Sequence, residues 1–204
     1  MSLVAAGSTG TSFPPIEPGT YLARAYGLVD LGRQYSQKYD KSSPKVLIMW
    51  ELPTETVEVE DRTETRVLSK QYTCSLSDNA SLRKDLESWR GRRFTDEELK
   101  GFDLRNIVGV PCQLSITNEE RNGKTYSNIN AVVSIPKGTQ VPELTKEKII
   151  FDLDEEGFQE KMSLLPEWIQ NRIRESETYM AKIDIPEDTD SDGFTDLQSD
   201  DIPF

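Results

Sequence analysis

The feature that most constrains the fold is an Asn-Gly pair, Asn122-Gly123, which lies between two runs of alternating apolar and polar residues. Asn-Gly favours the two-residue turn that joins antiparallel strands, because both residues tolerate a positive φ. Residues 110–117 and 125–135 are therefore predicted to form a β-hairpin.

Three more strands are predicted before this hairpin. Residues 20–31 are rich in β-forming residues and contain Gly27, where we expect a bend or bulge. Residues 45–52 (KVLIMWEL) carry the strongest strand pattern in the chain, and residues 66–76 alternate in polarity. The connections are interpreted as a polar loop at 32–44 and an acidic hairpin loop or strand extension at 53–65.

A helical insert is predicted between the third and fourth strands. Leu82, Leu86 and Trp89 recur at helical spacing, and Gly91 predicts the end of that helix. A capping-box pattern at residues 95–98 predicts a second short helix. Three strands, a helix and two strands is the order of a five-stranded OB-type barrel, so the predicted class is mainly β.

The flanking segments complete the predicted organisation. A helical pattern over 157–182, interrupted at Pro166, places Trp168, Ile169, Ile173 and Tyr179 on one stripe. The chain is thus divided into a flexible N-terminal segment, the barrel domain, a helical extension that packs on the barrel or on a partner subunit, and a disordered acidic tail. These four parts are residues 1–18, 19–140, 141–182 and 183–204.

The net charge of −12 argues against a nucleic-acid binder until its distribution is considered. Residues 183–204 hold eight acids and no base, and residues 141–182 hold ten acids and six bases. Residues 19–140 hold seventeen acids and eighteen bases. The barrel region is therefore balanced, and it can carry a basic surface if its charges segregate by face.

Composition narrows the classes of function. The chain has no histidine, which removes the usual general base and the commonest zinc ligand, so we expect no enzyme, no metal and no cofactor. Cys74 and Cys112 are interpreted as small hydrophobic residues in a reducing compartment. No apolar run is long enough for a membrane span, and the start does not resemble a signal peptide, so we expect a cytoplasmic location.

The last five residues form a compact docking ligand. Asp200 and Asp201 precede Ile202, Pro203 and Phe204, whose α-carboxylate adds a further negative charge. A partner pocket with an apolar floor and a rim of arginine or lysine suits such a peptide. Pro203 stiffens it and lowers the cost of ordering it on binding.

The sequence resembles known single-stranded DNA-binding proteins in two places. DDIPF is similar to the C-terminal tip of the bacterial proteins. The body resembles a family of bacteriophage-encoded single-stranded DNA-binding proteins with an OB fold, over about residues 14–182. The resemblance implies high-coverage binding of single-stranded DNA without strong sequence preference, in replication, recombination and repair, in the host cytoplasm, with partner proteins bound through the tip. The segments that carry it are residues 14–32, 45–53, 81–99 and 123–138.

Sequence-tolerant binding of single-stranded DNA needs aromatic faces for the bases and cations for the backbone. In an OB fold the groove crosses strands two and three, between the loop joining strands one and two and the loop joining strands four and five. Candidate residues map to these places, although the acidic segment 53–65 borders the groove. They are Arg33, Tyr35, Lys38, Tyr39, Lys41, Trp50, Lys70, Tyr72, Arg121, Lys124 and Tyr126.

Some of these residues have a second interpretation. Trp50 and Tyr72 are either stacking residues or ordinary core. Arg90, Arg92 and Arg93, called the basic knot below, either line the path of the strand or neutralise the acids of the following helix.

Two rival functions remain open. One is an OB-like protein–protein adaptor with the same tail and no DNA affinity. The other is a nuclease using carboxylate-bound Mg²⁺, drawn from the acidic residues in 152–160 and 184–201. We also expect that the tail competes with DNA for the basic surface, and that a homodimer gains avidity from a doubled groove.

Overall fold

The computed structural model describes residues 14–59 and 61–183, and its centre is a curved antiparallel sheet. The strands follow the spatial order β3-β2-β1-β4-β5, and the sheet curls into a nearly closed five-stranded barrel. The predicted OB-type barrel is confirmed. Its strands are β1 (Gly19–Ser36), β2 (Lys41–Val59), β3 (Arg62–Thr73), β4 (Pro111–Arg121) and β5 (Lys124–Val133).

Strand β1 is the central strand of the sheet, because its first part pairs with β4 and its second part with β2. The pairing register shifts between Ala25 and Gly27, so the predicted bulge is confirmed. A Cβ atom on Gly27 would lie 2.2 Å from the Cε atom of Met49. The Met49 side chain lies over Gly27, so a larger residue at this position would require that side chain to move.

The predicted loop at 32–44 is wrong. Strands β1 and β2 continue through it, with Arg33 opposite Pro44 and Ser36 opposite Lys41, and only residues 37–40 form the turn. We call the hairpin of residues 33–44 the arm. The polar composition of this segment concealed the two strands. A strand whose side chains face water still forms its backbone hydrogen bonds with the neighbouring strand.

The other two hairpins agree with the sequence. The segment 53–65 is a strand extension, with β2 reaching Val59 and β3 starting at Arg62. Asn122 and Gly123 both have positive φ angles, 52° and 70°, as the predicted two-residue turn requires.

The helical insert closes one end of the barrel. It contains α1 (Ser81–Arg90), α2 (Asp96–Lys100) and a 3-10 turn at Leu104–Ile107. Helix α1 buries Leu82, Leu86 and Trp89 and ends at Gly91, where φ is 67°. The predicted capping box of α2 is present, with Thr95 and Glu98 bonded to each other's backbone N–H.

The barrel interior is a single apolar cluster. Trp50 is fully buried and lies 6.0 Å from Trp89, measured between ring centroids. Ile16 joins this cluster from the N-terminal side, and its N–H donates to the Ser127 hydroxyl of β5 at 2.8 Å. Residues 14–18 therefore run against the barrel instead of away from it.

The C-terminal extension covers the outer face of β1 and β2. Val29, Leu31, Leu47 and Met49 point away from the barrel interior and pack under the extension in a second apolar cluster. The extension consists of β6 (Ile149–Phe151), parallel to β1, and the helices α3 (Phe158–Ser163), α4 (Glu167–Arg174) and α5 (Glu177–Ile183). No helix in the described ranges is long and apolar enough to cross a membrane.

One detail of the predicted helical stripe is wrong. Ile169 and Ile173 are fully buried, but Trp168 is 54% exposed. Residues four apart share a helix face, and the neighbouring position is turned about 100° away from it. The predicted interruption at Pro166 is present, since Pro166 is the N-cap of α4.

A buried carboxylate fixes the segment that crosses from the barrel to the extension. Glu51 is fully buried, and its carboxylate accepts from the N–H of Thr145 at 3.0 Å, the N–H of Lys146 at 3.2 Å and the hydroxyl of Thr65 at 2.6 Å. Burial acts to raise the pKa of Glu51, but these hydrogen bonds outweigh it and hold the pKa below its usual value.

Candidate nucleic-acid interface

The arm presents two exposed tyrosines. Tyr35 is 55% exposed and Tyr39 is 71% exposed, the latter within the turn. The Lys38 ammonium lies 5.3 Å from the centroid of the Tyr39 ring. The Tyr35 hydroxyl donates to Asp40 at 2.5 Å, and this bond raises the pKa of Tyr35 because it favours the neutral phenol. Aromatic faces and cations are thus adjacent at one protruding tip.

The arm also carries unneutralised positive charge. Lys38 and Lys41 are exposed, and within residues 14–59 and 61–183 neither lies within ion-pair distance of a carboxylate. Arg33 differs from them, since it lies 3.8 Å from Glu177 and donates to the Ser42 carbonyl at 3.1 Å. The two lysines are therefore the cations of the arm that are most available to an anionic ligand.

Helices α4 and α5 hold the arm from one side. The buried Gln34 amide donates to the carbonyls of Arg172 and Leu31, both at 2.7 Å. The backbone N–H of Arg33 donates to the Thr178 hydroxyl at 2.9 Å, and the Ser42 hydroxyl bonds Glu177. These contacts place the exposed tyrosines on a supported element.

A second cluster lies at the β4–β5 turn. Tyr126 is 48% exposed and sits opposite Glu119 in the ladder. Arg121 pairs with Glu119 at 2.5 Å, and this pair holds the pKa of Glu119 below its usual value. Lys124 is exposed and has no ion-pair partner among the described side chains. The turn therefore resembles the arm in composition, with more of its charge neutralised.

The two clusters do not form one compact pocket. Ser36, at the end of β1, pairs with Lys41 of the arm, whereas Gly19, at its start, pairs with Ile116 of β4. The arm and the β4–β5 turn therefore lie toward opposite ends of β1. A polymer that contacts both must run along the barrel.

Three of the predicted DNA-binding residues are not free on the surface, namely Trp50, Lys70 and Tyr72. Trp50 and Tyr72 are 0% and 2% exposed, so both belong to the core and neither can stack on a base in this structure. The Tyr72 hydroxyl and the Lys70 ammonium both donate to Asp85 of α1, each at 2.7 Å. Burial, together with Asp85, raises the pKa of Tyr72. This group joins β3 to the helical insert.

The basic knot is partly neutralised. Arg90 and Arg92 both bond Glu98 of α2, and hydrogen bonds from Arg92 and from the Thr95 backbone hold the Glu98 pKa far below its usual value. For these two arginines the structure supports the interpretation that they neutralise the following helix. Arg93 is exposed and has no ion pair among the described side chains.

Sequence reasoning missed the residues that support the arm. Gln34, Glu177 and Thr178 carry no motif that marks this role. One signal was present, because residues 46–50 are apolar at every position. A strand that is apolar on both faces is covered on both faces, which points to a second layer over β2. Residues 200–204 lie outside the described ranges.

Neither the described side chains nor the comparisons with known proteins assign a metal site or a family. In the part of the chain that the structure describes, no group of three or more Cys, Asp or Glu side chains is placed to hold a metal ion. No family model matches the chain. No curated protein matches it either.

Proposed function

We propose that this protein binds single-stranded DNA with little sequence preference, in the cytoplasm of a phage-infected cell, and serves its replication, recombination and repair. Residues 200–204 are proposed to recruit partner proteins. The observation that carries the proposal is the arm, where Tyr35 and Tyr39 lie exposed beside Lys38 and Lys41 on an OB-type barrel.

The chemistry of the arm suits an unpaired strand. A base stacked on an aromatic side chain contributes about 1–3 kcal/mol, and stacking tolerates every base because each has a π-face. Lysines beside the rings add attraction to phosphates. A duplex hides its base faces, so the same tip favours the single strand.

The second cluster supports a path for the bound strand along the barrel. At about 3.3 Å per residue, the 18 residues of β1 extend to at most roughly 60 Å. The path between the arm and the turn with Tyr126 is therefore comparable to the length of β1 at most. We propose that the strand runs between them along the barrel.

A titration of fluorescently labelled oligo-dT tests the class of function, with duplex DNA of the same length as competitor and salt as the second variable. We expect preference for oligo-dT and affinity that falls with salt. Each phosphate contact contributes about 0.7 to the slope of log affinity against log salt for single strands. Lys38→Ala with Lys41→Ala should reduce that slope by about 1.4.

Lys100→Ala is the matched control, because Lys100 is 71% exposed on α2 and pairs with Glu97. Its slope should equal that of the unmodified protein. No affinity for oligo-dT at low salt would overturn the proposal and favour the protein–protein adaptor.

A further inference from the structure

The C-terminal extension leaves an apolar groove on the outer face of the barrel. The groove has a volume of about 500 Å³ and lies between residues 146–149, which cross from the barrel to the extension, and the junction of α3 and α4. Tyr26 of β1 and Val67 of β3 line it from the sheet. Leu164 at its rim is 83% exposed, more than any other large apolar side chain among the described residues, and Val67 is 43% exposed. The groove is therefore an apolar surface that the described part of the chain leaves without a cover.

The charges at the rim of the groove are already balanced. Lys146 pairs with Glu64 at 2.9 Å, and Lys161 pairs with Glu155. The other two charged residues that line the groove, at 147–148, carry opposite charges. A strongly acidic or basic ligand gains little attraction from such a rim. The groove therefore suits an apolar segment without charged side chains.

The described part of the chain begins beside this groove. Arg66 of β3 donates from Nη2 to the carbonyl of Pro14 at 2.7 Å, and the N–H of Ile16 donates to the Ser127 hydroxyl of β5. Arg66 and Val67 are consecutive residues of one strand, so their side chains point to opposite faces of it. Strand β3 ends the strand order of the sheet, so only the edge of this strand separates Pro14 from the groove.

We propose that residues 3–6 of the same chain, Leu-Val-Ala-Ala, lie in this groove and cover it. They are the longest apolar run in residues 1–13, and no residue in that range has a charged side chain. This composition matches an apolar wall with a balanced rim. The acidic tail does not match it, because residues 183–204 hold eight acids and no base. The inference is independent of DNA binding.

The connecting chain is long enough to reach the groove. Residues 7–13 separate Ala6 from Pro14, and at 3.3 Å per residue they extend to at most about 23 Å. Layers packed on a sheet lie about 10 Å apart, so the path from one face of β3 to the other is of that order. A tether of this length gives an effective concentration on the order of millimolar. A segment with an intrinsic Kd of about 1 mM would then be docked roughly half of the time.

Methyl signals in a two-dimensional ¹³C NMR spectrum of the full chain test the proposal, in samples that contain no DNA. The double variant Leu3→Ser, Val4→Ser removes the two largest apolar side chains of the proposed segment. The methyl signals of Leu164 and Val67, which line the groove, should then shift. The methyl signals of Leu82 should stay in place, because Leu82 is buried in the barrel interior and serves as an internal reference.

A second variant reports from the side of the groove. Leu164→Ser removes a side chain that is almost fully exposed, so the fold does not depend on it. The methyl signals of Val4 should then move to the positions that they have in a synthetic peptide of residues 1–13. The matched control for the double variant is Thr9→Ala with Thr11→Ala, which changes polar residues of the same stretch and should shift no methyl signal of the groove.

The proposal is overturned if the double variant leaves the signals of Leu164 and Val67 unchanged, or if the threonine control shifts them equally. It is also overturned if the Val4 signals of the unmodified protein already match those of the free peptide. Shifts that grow with protein concentration would overturn it too, because a second copy would then supply the segment. None of these results involves DNA, so failure here is distinct from failure of the oligo-dT titration.

Discussion

Replacing Glu51 with methionine tests how the crossing segment is attached to the barrel. Methionine keeps the length of the side chain and removes both carboxylate oxygens. The N–H groups of Thr145, which is exposed, and Lys146, which is half-buried, then lose the acceptor that the buried carboxylate provides. An unsatisfied buried donor costs about 1–3 kcal/mol, and these partly buried donors belong at the lower end, so Glu51→Met should lower the free energy of unfolding by about 2 kcal/mol.

Urea unfolding followed by circular dichroism measures this loss. Glu51→Gln should lose clearly less, because its amide oxygen can accept from the two N–H groups while its NH₂ donates to the threonine hydroxyls. Glu58→Met is the control, since Glu58 is exposed on the same strand. Equal losses for Glu51→Met and Glu58→Met would refute the reasoning.

The pH dependence gives a further check on Glu51. Its pKa is lower in the folded protein than in the unfolded chain, so its stabilisation is present above the unfolded value of about 4.3. As pH falls through the lower folded value, the stabilisation is lost. The stability difference between the unmodified protein and Glu51→Met should therefore narrow in acid. A difference that stays constant down to the acid limit of folding contradicts the assignment.

Three other outcomes are expected. Tyr72→Phe removes one hydrogen bond to Asp85 and should cost about 1 kcal/mol in urea unfolding, with oligo-dT affinity unchanged, and a large affinity loss would contradict the core assignment. Ile169→Ala should cost about 2–5 kcal/mol because Ile169 is fully buried under the extension, and a loss near zero would mean that α4 does not pack there. Deletion of residues 183–204 should strengthen oligo-dT binding at low salt by removing eight acids, and unchanged affinity would count against competition by the tail.

The barrel could be predicted because its signals are local. The Asn122-Gly123 turn, the glycine at position 27 and the helical spacing of Leu82, Leu86 and Trp89 each depend on neighbours in sequence. The arm could not, since its strands are polar and their geometry is fixed by contacts of Gln34 with Arg172, far away in the chain. Local patterns do not report a contact of that kind.

The candidate site was predictable in part for a similar reason. Alternation placed Tyr72 on one face of β3 but did not say which face was inside, and the partner that decides it is Asp85 of the helical insert. The polar neighbours of Tyr35 and Tyr39 were a better guide, because both side chains are exposed although Tyr35 lies in β1 and only Tyr39 lies in the turn. The neutralisation of Arg90 by Glu98 depends on the capping geometry of α2. The sequence showed the capping-box pattern but not where the two side chains would meet.

The central claim is that the tyrosines of the arm stack on unpaired bases, and the affinity of the double variant Tyr35→Ala, Tyr39→Ala for labelled oligo-dT measures it most directly. Two stacked bases contribute about 2–6 kcal/mol together, so the variant should bind at least about 30-fold more weakly at fixed salt. Trp168→Ala, which removes an exposed aromatic ring from α4, should bind as tightly as the unmodified protein. Equal affinities for the double variant and the unmodified protein would contradict the account.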